Sequence, residues 1–178
     1  MRTSSSPITR IREEPVRAAN DRLAALYAQH APAATRLAYM LTGDRDVAQD
    51  LAHDAFVKIG GKVLALRDPD HARAYLFRTV INLCRGRGRK LQRERRALRK
   101  LSHSSPVESI SASGDDEIWT ALLELPIRQR AALFLRYYED VSEQDAADAL
   151  NCSLSALKSL INRGLRNLRT VVKEERGE

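Results

Sequence analysis

A chain of 178 residues with 30 Lys and Arg against 23 Asp and Glu carries a net charge of +7, and only 5% of it is aromatic. That length holds one large or two small domains, and the basic balance points to a polyanionic partner. It contains no apolar run near the roughly 20 residues of a membrane span, no apolar secretion segment at the N-terminus, and no Gly-rich phosphate loop, HExxH, CxxC or G-x-S-x-G motif of the kind that marks many enzymes.

Residues 1–19, rich in Ser, Pro and Arg, are expected to form a flexible tail. From about Asn20 to Thr42, the residues Leu23, Leu26, Tyr27, Ala34, Leu37, Ala38 and Leu41 recur at helical spacing. Gly43 is placed to end that helix as a C-cap. Asp44 or Asp46 then starts a second helix with Val47, Leu51, Ala55, Phe56 and Ile59 on one side, weakened at its end by Gly60-Gly61. The same segment carries Asp44, Asp46, Asp50 and Asp54 against a single Arg45. This acidic face is either a dock for a positively charged protein or an ordinary solvated face whose acids complement the helix dipole.

Asp68-Pro69 is a cap followed by Pro in the first turn, a start signal for a third helix. It runs through Ala74, Leu76, Phe77, Val80, Ile81 and Leu83 into a basic segment, Arg85 to Lys100, with nine basic residues and one acid. That segment alone is +8, which leaves the rest of the chain at −1; the positive charge is aimed. Gly86 and Gly88 inside it cost a helix about 1 kcal/mol each, so either the helix frays there or backbone approaches a nucleic acid closely. With Tyr75 and Phe77 upstream, the segment suits a single strand whose bases stack on aromatics while phosphates meet Arg and Lys. The alternative is a solvated charge run with core aromatics, and Phe77 fits that alternative better.

Residues 101–114 are Ser-rich without apolar periodicity and are expected to be a linker. Asp115 or Asp116 restarts helix with Ile118, Trp119, Leu122, Leu123 and Leu125. Pro126 opens another with Ala131, Leu133, Phe134 and Tyr137. Val141 to Arg169 then has the form of a helix-turn-helix. Ser142, with Asp145 three residues on, makes a weak capping box; Asn151-Cys152-Ser153 is a tight break, and Ser153 caps a second helix. Along that helix Leu154, Leu157, Ile161, Leu165, Leu168 and Val172 form an apolar stripe, opposite Ser155, Ser159, Asn162, Arg163 and Arg166, with Lys158 at the edge. Such a face suits the major groove of duplex DNA; an ordinary amphipathic surface helix is the alternative. The fold class is all-α: two small helical domains, 20–100 and 115–174, each burying its stripes against its own neighbours. Cys84 and Cys152 are read as small apolar fillers in a reduced compartment rather than a redox pair. The four histidines lack metal-ligand spacing, and no cofactor is expected.

The stretches LTGDRDVAQDLAHDAFVKI, AYLFRTVINLCRGRGRK and LLELPIRQRAALFLRYYEDVSEQDAADALNCSLSALKSLINRGLRNLR resemble, in that order, bacterial extracytoplasmic-function RNA polymerase sigma factors of the sigma-70 superfamily. The likeness runs from about Leu23 to Arg169. It implies a cytoplasmic promoter-specificity subunit, not an enzyme, that binds core RNA polymerase through the beta-prime clamp helices and the beta flap. The helix matching Asp50, His53 and Asp54 would meet the clamp helices. Tyr75, Arg78, Thr79, Asn82, Arg85, Arg87 and Arg89 would recognise and help open the minus-ten element of promoter DNA. Ser155, Lys158, Ser159, Asn162, Arg163 and Arg166 would read the minus-thirty-five element, and many relatives are held by an anti-sigma factor.

Departures from the family's pattern are His53 for Gln, Tyr75 for Trp, Arg85 for Asp, Ala156 for Thr, Leu160 for Arg, and Gln144-Asp145-Ala146 for Glu-Ile-Ala. Leu160 is expected to be exposed, and Ala146 to loosen the packing of the two helices. Two other readings stay open: a sigma-like decoy that binds a regulator, and a stand-alone helix-turn-helix repressor acting as a dimer on a palindrome.

Overall fold

A computed structural model describes the backbone of residues 7–63, 65–66, 68–101 and 116–176, with side chains described from 17 to 94 and from 118 to 172. All regular structure among these residues is helical. Helix α1 (Pro7–Thr42) begins well before the expected residue 20, so the tail reading of residues 1–19 is corrected from Pro7 onward. The Arg, Glu and Ala of that segment favour helix, and Pro7 sits at its start, where a missing N–H is harmless.

At the far end of α1, Gly43 has φ +74° and donates its N–H to the Tyr39 carbonyl at 2.8 Å, a left-handed stop that glycine reaches without strain. Asp44 caps α2 (Arg45–Gly60) by accepting the Val47 N–H at 3.0 Å. Ala48, Leu51, Ala52, Ala55, Phe56 and Ile59 of α2 are buried, a stripe of i, i+3, i+4 and i+7 spacing. Asp68 accepts the Asp70 N–H at 2.9 Å and opens α3 (Pro69–Leu101). This helix runs unbroken through Gly86 and Gly88, so no fraying occurs there. Phe77 is fully buried and belongs to the core, not to a stacking platform.

The expected linker, 102–115, lies outside the described residues. Helix α4 (Asp116–Glu124) leads through Pro126 into α5 (Ile127–Leu133), which continues as a π-helical turn, Phe134–Tyr138. Sequence periodicity had put Ile118 and Tyr137 on apolar faces; they are 53% and 64% exposed. Asp140 at φ +47° breaks the chain before α6 (Glu143–Leu150), and Asn151 at φ +49° separates α6 from α7 (Leu154–Arg176). Ser142 and Ser153 cap as expected, accepting the Asp145 and Ala156 N–H groups. Asp145 completes the box differently: its carboxylate accepts from the Ser142 hydroxyl at 2.6 Å.

Leu157 and Ile161 anchor α7, and burying a side chain of that size stabilises the fold by about 1.5–3 kcal/mol. Leu154, expected on the same stripe, is 41% exposed. Leu160, expected in solvent, is half-buried against the core. Ala146 is fully buried. Gly164 also faces inward: a Cβ there would lie 3.1 Å from Leu133 Cδ1, so α5 and α7 meet at a distance only glycine permits.

The two halves do not keep separate cores. One apolar cluster runs from Leu26 in α1 to Ile161 in α7, and α6 packs along α3. The expectation that each half buries its own stripes is corrected on this point. Periodicity shows that a face is apolar; it carries no information on which neighbour covers it.

Candidate nucleic-acid and polymerase interfaces

On α7, Ser155, Lys158, Ser159, Asn162, Arg163 and Arg166 fall within an arc of about 140° at 100° per residue, directly opposite Leu157, Ile161 and Gly164. All are exposed except Ser159, which is half-buried. The buried stripe and the Ser153 cap therefore aim one polar, cationic face at solvent. Lys158 Nζ lies 3.3 Å from Glu143 Oε2, both side chains largely exposed. Exposed pairs of this kind contribute about 0–1 kcal/mol, so Lys158 is released to a phosphate at little cost. Glu143 was not singled out in the sequence, and its position at the first turn of α6 explains the pairing.

The α3 set is arranged differently. Tyr75, Arg78, Thr79, Asn82, Arg85 and Arg89 share a stripe, whereas Arg87 lies about 120° from Tyr75 by helical geometry. Much of that stripe is occupied. Arg78 donates to the carbonyl of Asp148 in α6, at 2.8 Å from Nε. Tyr75 is half-buried and accepts from Lys62 Nζ at 3.1 Å, and Thr79 donates back to the Tyr75 carbonyl. Arg85 and Arg89 line a hollow of about 480 Å³ against Leu125, Pro126 and Ile127. Asn82, Arg87 and Arg89 are the exposed members.

Beside them lies a residue that sequence reasoning missed. Arg130 of α5 is only 8% exposed. Its Nη1 donates to the Met40 and Leu41 carbonyls, and its Nη2 to the Leu123 and Leu125 carbonyls at 2.7 and 3.0 Å. These are the unpaired C-terminal carbonyls of α1 and α4, where the helix dipole is negative and a cation is favoured. Burial pushes the Arg130 pKa down, and nearby Cys84 opposes that shift; guanidinium nevertheless stays protonated in proteins. Its Nε is buried without a partner. The only advance signal was an arginine amid Ala131, Ala132 and Leu133, where a solvated side chain is out of place. Cys84, in the same region, has its thiol pushed up to about 12 by burial, which suits a filler rather than a reactive group.

On α2, Asp50, His53 and Asp54 are exposed together. Asp50 and His53 line a polar hollow of about 350 Å³ with Tyr27, Thr35, Gln49 and Phe56. Val57, one turn further along the same face, is 63% exposed. It was assigned no role in the sequence, although its i+7 relation to Asp50 places it on that face.

A buried stripe behind an exposed polar-basic recognition helix, joined to a helical bundle with an acidic face, defines a helix-turn-helix DNA-binding protein with a second, protein-docking surface. Family models agree: residues 26–94 match sigma-70 region 2 and residues 115–168 match sigma-70 region 4. The chain is 32% identical over 135 residues to the RNA polymerase sigma-E factor of Streptomyces avermitilis, covering 75% of each protein. It is 29% identical over 141 residues to the ECF RNA polymerase sigma factor EcfG of Rhodopseudomonas palustris, covering 77% of each. Among solved structures it is similar to the sigma factor RpoE of Bartonella quintana in complex with the anti-sigma factor NepR, with a TM-score of 0.67, 25% identity, and 83% and 94% of the two chains covered. It shares its fold with CnrH in complex with the cytosolic domain of CnrY, at a TM-score of 0.61, 22% identity, and 85% and 88% coverage. The chain belongs to the extracytoplasmic-function sigma factors of the sigma-70 family, transcription initiation factors that bind core RNA polymerase and promoter DNA. No helix among its described residues is long and apolar enough to cross a membrane.

Proposed function

We propose that this sigma factor divides its labour between the surfaces described above, in a region 2 domain over 20–100 and a region 4 domain over 115–174 joined by the intervening linker. The α7 face of Ser155, Lys158, Ser159, Asn162, Arg163 and Arg166 reads the minus-thirty-five duplex. The α3 stripe, with Arg87 as a flanking cation, captures and opens the minus-ten element. Flipping a base out of the stack costs a few kcal/mol, which stacking on Tyr75 and phosphate contacts offset. Asp50, His53 and Asp54, with Val57 as an apolar contact, dock on the polymerase clamp helices. The polymerase beta flap takes the apolar hollow lined by Leu122, Leu133, Phe134, Tyr138 and Leu165. Polymerase performs the chemistry, so the chain is not itself an enzyme, and it works in the cytoplasm where polymerase is. An anti-sigma factor is a further partner, by likeness to the Bartonella quintana complex.

The observation that carries this reading is the exposed cationic face of α7, fixed by the buried Leu157, Ile161 and Gly164 behind it. A decoy that binds only a regulator has no use for such a face. The test is transcription in vitro with purified core polymerase on genomic fragments, with start sites mapped. Wild type initiates at discrete sites. Asp50→Lys combined with Asp54→Lys abolishes polymerase pull-down and initiation. Lys158→Ala retains pull-down but weakens promoter binding. Initiation at no fragment, or equal pull-down by the charge-reversed variant, contradicts the assignment.

A further inference from the structure

The contacts between the two halves fall on residues that the minus-ten function requires. Arg78 is held by the Asp148 carbonyl of α6. Arg73, one turn earlier on α3, donates to the Glu139 carbonyl at 3.0 Å. Arg36 of α1 closes on the Glu139 carboxylate at 2.7 Å; the Arg36 side chain is 46% exposed and that of Glu139 only 9%. Arg130 bolts α5 to the C-terminus of α1, and Trp119 of α4 stacks on Tyr39 of α1 with centroids 4.7 Å apart. Meanwhile the α7 face stays open to solvent.

We infer that this packing is an autoinhibited state selective for one of the two DNA contacts: α6 covers the single-strand stripe of α3, while the duplex-reading face of α7 remains free. The inference rests on the assignment of α3 to the minus-ten strand. A nucleic-acid strand cannot reach Arg78 while its guanidinium is spent on Asp148 and α6 lies across the helix. Binding of a single strand therefore waits on separation of α6 from α3, and the apparent affinity falls by the fraction of molecules that are open. Three of the contacts are made to backbone carbonyls, so the closed state tolerates side-chain change at Glu139 and Asp148 without losing every bond. The Arg36–Glu139 pair is the exception, a side-chain contact in which either partner's charge can be reversed.

The test uses the full chain and a fluorescein-labelled single-stranded oligonucleotide of mixed sequence. Trp119, the only tryptophan, reports closure through its emission. Arg36 is half-exposed and lies outside the assigned DNA and polymerase sites, so Arg36→Glu opens the interface without touching either. Its Trp119 emission shifts to the red, and it binds the single strand about tenfold more tightly, as expected when the competent fraction rises by that factor. The substitution removes positive charge, which by itself weakens binding to a polyanion, so the gain is not an electrostatic artefact. The charge swap, Arg36→Glu with Glu139→Arg, restores wild-type emission and affinity.

A red shift without a gain in single-strand affinity overturns the inference, as does a gain that the swap leaves in place. So does unchanged Trp119 emission in both Arg36→Glu and Glu139→Lys, with helical circular dichroism retained. If wild type initiates transcription with core polymerase but the opened variant gains no affinity for the strand, only this inference fails. If the opened variant binds the strand but no form of the chain initiates, the sigma-factor site assignments fail instead.

Discussion

Gly164 shows how much a single missing methyl group decides. A Cβ there would stand 3.1 and 3.2 Å from Leu133 Cδ1 and Cγ, closer than packed carbons settle. The glycine sets the spacing of α7 from α5, and hence how far the recognition face projects. Gly164→Leu is expected to destabilise the chain by about 1–3 kcal/mol through overpacking, seen as a lower urea midpoint with an unchanged slope. A midpoint equal to wild type means that α7 already has slack against α5. Gly164 was legible in the sequence only as a glycine on the buried side of the stripe. Arg130 was not legible at all in its role, because four carbonyls from two distant helix ends converge on it only after folding.

At the level of the helix, Gly86 and Gly88 stand apart from Gly164. A Cβ at either meets nothing within 4 Å, so packing does not explain them, although α3 continues through both. Gly86→Ala with Gly88→Ala is expected to stabilise α3 by about 1 kcal/mol per site, the penalty glycine carries in a helix. Thermal unfolding followed by circular dichroism measures it, and an unchanged or lower midpoint runs against it. The stretch between Arg85 and Arg89 is thus the weakest part of a long helix, and it sits among the residues assigned to the melted strand. Capping was the most legible feature at this scale: Gly43, Asp44, Ser142, Asn151 and Ser153 each act where short-range chemistry places them. Leu154, Leu160 and Tyr137 were misplaced because apolar periodicity predicts a face to within about a residue, while solvent exposure at its edge depends on the neighbouring element.

For the molecule as a whole, His30 marks where the halves meet. Burial, then the Arg73 cation, lower its pKa below the ordinary 6.5, with Glu139 opposing. The unfolded chain therefore takes up this proton at a higher pH than the folded one. Stability is fully present above about 6.5, declines as pH falls below it, and levels off past the folded value. His30→Gln is expected to flatten the stability profile between about pH 7 and 5, where histidine is the side chain that ordinarily titrates. Urea unfolding across that range is the measurement, and an identical slope in the variant counts against a role for His30. The all-α class, the order of the helices and the location of both cationic surfaces were legible from periodicity and charge. The shared core was not. Apolar residues such as Leu122, Ala147 and Leu150 serve equally well in a self-contained domain and at a junction, and only tertiary packing distinguishes the two.

The π-helical turn at Phe134–Tyr138 has a consequence in terms of chain length. A π turn carries one residue more than the α turn it interrupts, and each residue turns a helix by about 100°. Deleting a single residue there would restore α geometry and swing everything after it by that angle. Glu139 would then face away from Arg36, and Asp140 could no longer turn the chain into α6 at the same place. The registration of one half upon the other is therefore written as a residue count at one turn. An insertion or deletion of one residue, harmless in most surface loops, would here act as a change of shape.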